Sequence, residues 1–301
     1  MAKLEMSLVS LVKIEMENKI KEGIKNAIEL IRYKFPTNVK NIVIKPNMCY
    51  YWDYSTGQTT DPMFVAALIE ILRERISSDV NISIVESDAS AMKCKYVFKF
   101  LGYEKMVKKY NVRLVNLSED ENEKVEVTAG NEHFHFMIPQ TIKNADLKIN
   151  VPKIKYLNLS KISCALKNIF GCNPEPKKFK YHPKLDETIV ALNKIMKFNL
   201  CILDGLIVSG GHPAKLGLIM ASQDPVALDS AAAKIAGVNP RSVGHIMLAN
   251  KEGLGNIQFI PKGENLSTFA KKFPKKRLKD KLLLSAYRFA TKTGLLDREL
   301  L

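Results

Sequence analysis

Apolar and polar positions along the chain switch repeatedly between two periods, and the switches mark out strands and helices in alternation. Leu8 to Glu15 reads as a short strand, and Glu17 to Phe35 as a helix with Ile20, Ile24, Ala27, Ile28 and Ile31 on one stripe. A strand follows from Asn41 to Lys45. Thr60-Asp61-Pro62 then announces a helix from Met63 to Ile76, with Thr60 or Asp61 as the cap and Pro62 in the first turn, where its missing N–H costs nothing. Asn81 to Val85 is the next strand, so strand, helix and strand recur at the spacing of a βαβ unit with a parallel sheet. A helical stretch from Tyr96 to Tyr110 and a short strand from Val112 to Val115 continue the pattern.

From Lys124 to Pro139 two alternating runs flank Gly130-Asn131, which predicts a β-hairpin insertion. The pair His133 and His135 falls on one face of its second strand, with no third metal ligand nearby, so an exposed or edge-strand role is expected for both. Ala145 to Val151 reads as a buried strand that Pro152 stops. Beyond it, Ile162, Ala165, Leu166, Ile169 and Phe170 fall on a helical stripe from Ser160 to Gly171. That stripe turns Lys161, Cys164, Lys167 and Asn168 outward, with Ser160 as the cap. A proline- and lysine-rich loop carries His182, and Asp186 to Met196 is a helix. Asn199 to Asp204 is a strand ending at Asp204-Gly205, and residues 208–217 form a flexible loop with Gly210, Gly211, His212 and Lys215. Leu218 to Ser222 is a strand, and Asp224-Pro225 opens a helix from Val226 to Ala236, echoing Asp61-Pro62.

The expected fold is therefore α/β: a mostly parallel open sheet with helices on both faces, the small hairpin as an insertion, and a basic helical C-terminal tail. Residues 1–260 form the α/β domain, with two related lobes suggested by the repeated Asp-Pro start, and residues 261–301 form the tail. With 301 residues and 46% hydrophobic content the chain can bury a full core, which excludes a disordered protein.

The five cysteines lie far apart without a CxxC pair, so neither a disulfide framework nor a zinc knuckle is indicated, and a reducing cytoplasm is the expected location. No apolar run approaches a membrane span. The net charge of +15 changes the picture more. Ten lysines against two acids between Lys143 and Lys184 give +8, and eleven basic residues against four acids between Lys262 and Leu301 give +7. Charge concentrated in this way favours an anionic partner: a phosphorylated or carboxylated small molecule, RNA, or an acidic protein surface.

In an open parallel sheet, ligands bind beyond the carboxyl ends of the strands. Those ends are Lys45-Pro46-Asn47, Glu86-Ser87-Asp88, Pro152-Lys153 and Asp204-Gly205. Lys153, Lys155 and Lys167 are the candidates for holding phosphate or carboxylate, the helix start at Ser160 would add free N–H groups, and His182 or Glu86 would move protons. Walker and GxGxxG fingerprints are absent, so the usual nucleotide loops are not predicted.

The residues IVIKPN and TTDP between 42 and 62, VPKIK and ALKNIFG between 151 and 171, His182, LDG and ASQDPVALD between 203 and 229, and GLG at 253–255 together resemble the DUF362 family. The resemblance spans most of the chain in family order. It marks Lys45, Asn47, Asp61, Lys153, Lys155, Lys167, Asn168, His182 and Asp224 as matching positions. It implies iron–sulfur association for relatives that carry a ferredoxin-type cysteine module. This sequence has no such iron–sulfur motif and is expected to be the form without that module, so the cofactor is left open. Relatives read Pro-Lys-x-Lys-Thr-His where this chain has Pro152-Lys153-Ile154-Lys155-Tyr156-Leu157, a departure that points to a changed substrate or a non-catalytic role.

The leading expectation is an enzyme that binds an anionic small molecule, with oxidoreductase chemistry in a redox-linked pathway as the resemblance implies. The alternative is an RNA-binding or assembly protein, using the lysine-rich surface against a polynucleotide or an acidic redox partner.

Overall fold

The computed structural model describes residues 6–275. In chain order its strands are β1 (Ser7–Lys13), β2 (Asn41–Pro46), β3 (Asn81–Glu86), β4 (Arg113–Asn116), β5 (Asn122–Ala129), β6 (Glu132–Pro139), β7 (Leu147–Val151), β8 (Lys153–Leu157), β9 (Lys161–Ser163), β10 (Leu200–Ser209), β11 (Pro213–Ser222) and β12 (Phe259–Gly263). Its helices are α1 (Ile20–Leu30), α2 (Pro62–Arg75), α3 (Cys94–Phe100), α4 (Glu104–Tyr110), α5 (Gln140–Lys143), α6 (Ala165–Asn168), α7 (Leu185–Met196), α8 (Pro225–Ile235), α9 (Gly244–Lys251) and α10 (Leu266–Ala270).

One sheet in the order β12-β1-β11-β10-β7-β2-β3-β4 organises the molecule. Its pairings are parallel from β10 through β7, β2 and β3 to β4, and antiparallel where β11 meets β10 and β1. The pleat sends successive side chains to opposite faces. Ile42 and Ile44 therefore join one core and Val43 the other, and Ile202 and Leu203 part in the same way. The first core packs the sheet against residues of α1 to α4, and the second against α6 to α10 and the β5–β6 hairpin. This is the expected α/β architecture with helices on both faces.

Both Asp-Pro starts cap their helices as the sequence indicates. Asp61 accepts from the Met63 N–H at 2.8 Å, and Asp224 accepts from Val226 and Ala227 at 2.8 and 2.9 Å. The two helices lie on opposite faces of the sheet.

Four elements depart from the sequence expectation. The stretch from Tyr96 to Tyr110 is two helices, α3 and α4, with Gly102 at φ +79 between them, a backbone state that favours glycine. Pro152 ends β7 as expected, but a further strand, β8, follows at once from Lys153 and also pairs with β10. The stretch from Ser160 is not one helix. Residues 161–163 form β9, antiparallel to β8, and α6 begins only at Ala165 before giving way to a 3-10 turn over Ile169–Cys172. Its apolar stripe satisfied helical spacing by coincidence, since Ile162 is buried from a strand and Cys164 is wholly inside. Finally, β10 runs through Asp204 to Ser209 and pairs with β11 from Pro213, so residues 208–217 are mostly ladder rather than loop.

The proposed boundary at residue 260 falls inside β12, which pairs parallel with β1, and α10 contributes the buried Phe269 to the second core. The remainder of the expected basic tail, residues 276–301, lies outside the described residues.

Candidate functional site

Beyond the carboxyl ends of β2, β3 and β8 lies a cavity of about 640 Å³. Strand ends, a helical turn and a loop build it. The ends of β2 and β3 contribute Lys45, Asn47 and Glu86, and β8 contributes Lys155. The α6 turn contributes Lys167 and Asn168, and the loop after it contributes Lys178 and His182. Seven of the ten sequence candidates therefore meet here: Lys45, Asn47, Glu86, Lys155, Lys167, Asn168 and His182.

Lys45 and Glu86 form the floor. The Lys45 ammonium lies 2.8 Å from the Glu86 carboxylate and 2.7 Å from the Pro46 carbonyl, with both side chains almost fully buried. The other Glu86 oxygen accepts the Ser87 N–H at 3.0 Å. Glu86 is thus anchored twice, which suits it to holding Lys45 more than to moving a proton. Gly171 covers the pair, and a Cβ there would fall 2.9 Å from the Glu86 Oε1 and 3.0 Å from the Lys45 Nζ.

Asn168 and Asn47 hold backbone. The Asn168 amide donates to the Lys45 carbonyl at 3.1 Å and to the Asn150 Oδ1 at 2.8 Å, while Asn150 donates to the Ala165 carbonyl at 2.9 Å. Asn47 donates to the Gln58 carbonyl at 2.6 Å, and its N–H reaches the Thr60 hydroxyl at 2.9 Å. These bonds tie the ends of β2 and β7 to the α6 turn and to the approach to α2.

The helix start expected to receive an anion is occupied from within. The N–H groups of Ala165 and Leu166 donate to the Asp229 carboxylate at 2.6 and 3.2 Å, and Asp229 is fully buried. Burial raises the Asp229 carboxyl to about 6, against the opposing effects of His245, Cys164 and those two N–H groups.

The four cavity lysines differ in their partners. Lys155 donates to the Gln58 carbonyl at 3.0 Å, and Lys178 donates to the Ser87 hydroxyl at 2.6 Å and to the Asp88 carbonyl. Lys167 instead lies over the Phe170 ring, 4.8 Å from its centre. Burial lowers the basicity of Lys155 and of Lys178. For Lys167, burial and then the Lys155 charge lower it to about 8, although the residue keeps partial solvent exposure through the cavity. Burial and then the Lys167 charge also lower His182, which favours its neutral form. Among the cavity-lining residues Glu86 is the one carboxylate against these four lysines.

Three sequence candidates lie elsewhere. Lys153 pairs with Asp204 at 3.1 Å, both almost fully buried, and Asp204 also accepts the Asp61 N–H at 2.8 Å. Lys153, Asp61 and Asp204 line a separate space of about 20 Å³, room for roughly one water. Burial raises the Asp61 carboxyl to about 6. Asp204 is therefore not a strand-end ligand but a mid-strand counterion, because β10 passes through it. Asp224 caps α8 and also accepts from the Ser7 hydroxyl at 2.5 Å and the Asn256 N–H at 2.8 Å, well occupied and not lining the large cavity.

Sequence reasoning missed Lys178 and Cys49 as lining residues. Lys178 was one of several lysines in a basic loop, and only the 3-10 turn over Lys178–Lys184 buries it while leaving its neighbours outside. His133 and His135 pair with Thr128 and Glu126 across the hairpin. Among the described residues no cluster of three or more His, Cys, Asp or Glu side chains is arranged to hold a metal, and no helix is long and apolar enough to cross a membrane.

The family described as "Domain of unknown function (DUF362)" matches residues 42–234, well over half the chain. The chain belongs to the DUF362 family. A thylakoid-associated protein of a Synechocystis species is 29% identical to it over 133 residues, which is 40% of this chain and 41% of that protein, so the alignment spans about two fifths of the relative. Among solved structures, the lactate racemase apoprotein of Thermoanaerobacterium thermosaccharolyticum superposes with a TM-score of 0.49 at 13% identity, over 77% of this chain and 57% of that one. A Thermotoga maritima protein superposes with a TM-score of 0.43 at 14% identity, over 78% and 59%.

In this DUF362 protein the Tyr156-Leu157 pair has a definite place. Tyr156 turns its hydroxyl to the Ala236 carbonyl and packs edge-on against Phe273. Leu157 lines the cavity, as do Leu159, Tyr50 and Phe179. The DUF362 cavity here thus joins a cationic interior to apolar lining.

Proposed function

We propose that the large cavity binds an anionic small molecule, phosphorylated or carboxylated, and that the protein acts on it as an enzyme. The observation that carries this reading is the gathering of Lys45, Lys155, Lys167 and Lys178 around one cavity whose single lining carboxylate is already paired with Lys45. Burying ammonium groups is costly unless something negative compensates them. An incoming phosphate or carboxylate supplies that compensation, and the lowered basicity of Lys155, Lys167 and Lys178 is what its arrival would relieve. His182, biased toward its neutral form at the same cavity, suits the role of proton acceptor.

Lysines sunk in a cavity fit a compact ligand better than a polynucleotide backbone, which tracks cations displayed along a surface. The test is calorimetric titration with inorganic phosphate and with a short dicarboxylate, repeated on Lys155→Met and Lys178→Met. Saturable binding by the native protein that either substitution weakens at least roughly tenfold supports the reading. Absence of binding by both anions, together with tight and steeply salt-dependent binding of single-stranded RNA, would replace it with the polynucleotide alternative.

A further inference from the structure

The four cavity lysines are not equivalent, and the difference points to chemistry beyond holding an anion. Lys45 is anchored on Glu86 and Pro46, Lys155 on Gln58, and Lys178 on Ser87 and Asp88. Each of those ammonium groups is tethered to a protein oxygen. Lys167 makes no hydrogen bond or ion pair among the described residues, and its amine has only the face of Phe170 beneath it. An amine without an oxygen partner, crowded by a neighbouring ammonium and partly removed from water, is an activated nucleophile.

Its platform is rigid. The α6 turn that carries Lys167 is fixed at its start by Asp229, which accepts the Ala165 and Leu166 N–H groups. The Leu166 carbonyl accepts from Asn193 at 2.8 Å, and Asn168 is bonded to Lys45 and Asn150. Such support holds a reacting group in place without a bond to the group itself. His182 lies near enough to Lys167 for the lysine charge to lower its basicity, so a proton carrier is at hand.

We infer that Lys167 condenses with the carbonyl group of an anionic aldehyde or keto acid held by the other cavity lysines, forming an imine. The inference rests on the anion-binding reading and names the substrate class for it. In the first step the neutral Lys167 amine attacks the carbonyl carbon. A C–N bond forms, the C=O π pair moves to oxygen, and a proton passes from nitrogen to that oxygen to give a carbinolamine. In the second step the hydroxyl takes up a proton drawn from solvent and relayed through the neutral His182, and leaves as water. The nitrogen lone pair forms the C=N bond, so the products are an iminium and water and no oxidant or reductant is consumed. Lys155 and Lys178 hold the anionic group, and the positive iminium in turn withdraws electrons from the carbon next to it. The lowered basicity of Lys167, to about 8, keeps a useful fraction of its amine neutral near physiological pH.

The test uses two probes that share an aldehyde and differ in charge, pyridoxal phosphate and pyridoxal. Each is mixed with the full-length protein, reduced with borohydride, and the labelled lysine is located by peptide mass spectrometry. Binding of non-aldehydic pyridoxine phosphate is measured in parallel by calorimetry. The expected result is one dominant label on Lys167 that rises with pH around 8. It should need a roughly tenfold lower concentration of the phosphorylated probe. Lys167→Arg should abolish the label while keeping the melting temperature. If pyridoxine phosphate binds while the label spreads over surface lysines and spares Lys167, the imine inference falls and anion binding stands. If both aldehydes label Lys167 equally and pyridoxine phosphate does not bind, the reactive lysine stands and the anion reading falls. No label on Lys167 and no binding overturns both.

Discussion

The ammonium of Lys45 and the carboxylate of Glu86 lie 2.8 Å apart at the floor of the cavity, with side chains only 1% and 3% exposed. Such a pair is weak evidence of stability, because desolvating two charges offsets much of their attraction, but breaking it strands the survivor. Glu86→Ala leaves the Lys45 ammonium buried with only the Pro46 carbonyl, and should lower the unfolding free energy by about 3–5 kcal/mol. Replacing both with Met should recover most of that loss. Urea unfolding of the two variants decides the matter, and a Glu86→Ala loss below about 1 kcal/mol would mean that water reaches the pair.

Gly171 is required by the same pair. A Cβ at this position would sit within 3.0 Å of the Glu86 Oε1 and of the Lys45 Cε and Nζ. Gly171→Ala should therefore destabilise by about 1–3 kcal/mol, the usual cost of overpacking, and weaken phosphate binding by displacing the lysine. If both the urea midpoint and the phosphate affinity stay at native values, the pair has room to shift and the cavity floor is softer than its packing indicates.

Much of this arrangement was legible in the sequence, for identifiable reasons. Period-two and helical patterns place the strands and helices, and the strand ends then bring Lys45, Asn47, Glu86 and Lys155 to one side of the sheet. Three features were not legible. Ile162 to Phe170 keep helical spacing across a strand and a helix, so periodicity could not find the break at Cys164. Asp204 lies inside a ten-residue strand whose second half reads as loop, because Gly210, Gly211 and Pro213 crowd the turn beyond it. Lys178 differs from Lys177 and Lys180 only in the direction a 3-10 turn gives it, and composition carries no direction. Asp61 and Asp224, singled out from the family resemblance, cap helices here.

Asp229 should impose an inverted pH dependence on stability. Its folded carboxyl titrates at about 6, above the ordinary 3.8, because burial disfavours the charged form. Between those values the folded state binds more protons than the unfolded state, so this group's contribution to stability rises as pH falls through about 6 toward 4. Asp61 acts in the same direction. Asp229→Asn removes the Asp229 part while keeping an oxygen for one of the two N–H groups of α6. Between pH 7 and pH 5 the native protein should gain on the order of 1 kcal/mol relative to the variant. Parallel urea titrations at the two pH values measure this, and a constant difference would show that Asp229 stays ionised beside His245.

Cys49 offers a readout of cavity occupancy. It is half-buried and lines the cavity, whereas Cys94, Cys164, Cys172 and Cys201 are buried. Iodoacetamide should modify one thiol quickly and the rest only as the protein unfolds, since a buried thiol is shielded from reagent. Inorganic phosphate at saturating concentration should slow the fast phase several-fold through occupation of the space beside Lys155 and Lys167. Mass mapping of the alkylated peptide identifies the residue. A fast phase that phosphate leaves unchanged would place the anion elsewhere on the protein.

Lys167→Met separates what the cavity costs from what it does. The folded ammonium titrates at about 8, below its ordinary 10.5, so between those values the unfolded state binds more protons. Its contribution to stability therefore rises with pH across that window, and at pH 7 the charged lysine is a net burden. Removing it should leave the melting temperature at pH 7 unchanged or higher and flatten the gain of stability between pH 8 and 10. The methionine variant should at the same time lose part of the stabilisation that phosphate gives the native protein, since one of the four cavity cations is gone and the shift follows mass action on the folded state. A stabilised variant with a weaker response to phosphate marks Lys167 as kept for function at the expense of stability. A large fall in melting temperature at pH 7 would instead mean that the ammonium over Phe170 holds the α6 turn in place.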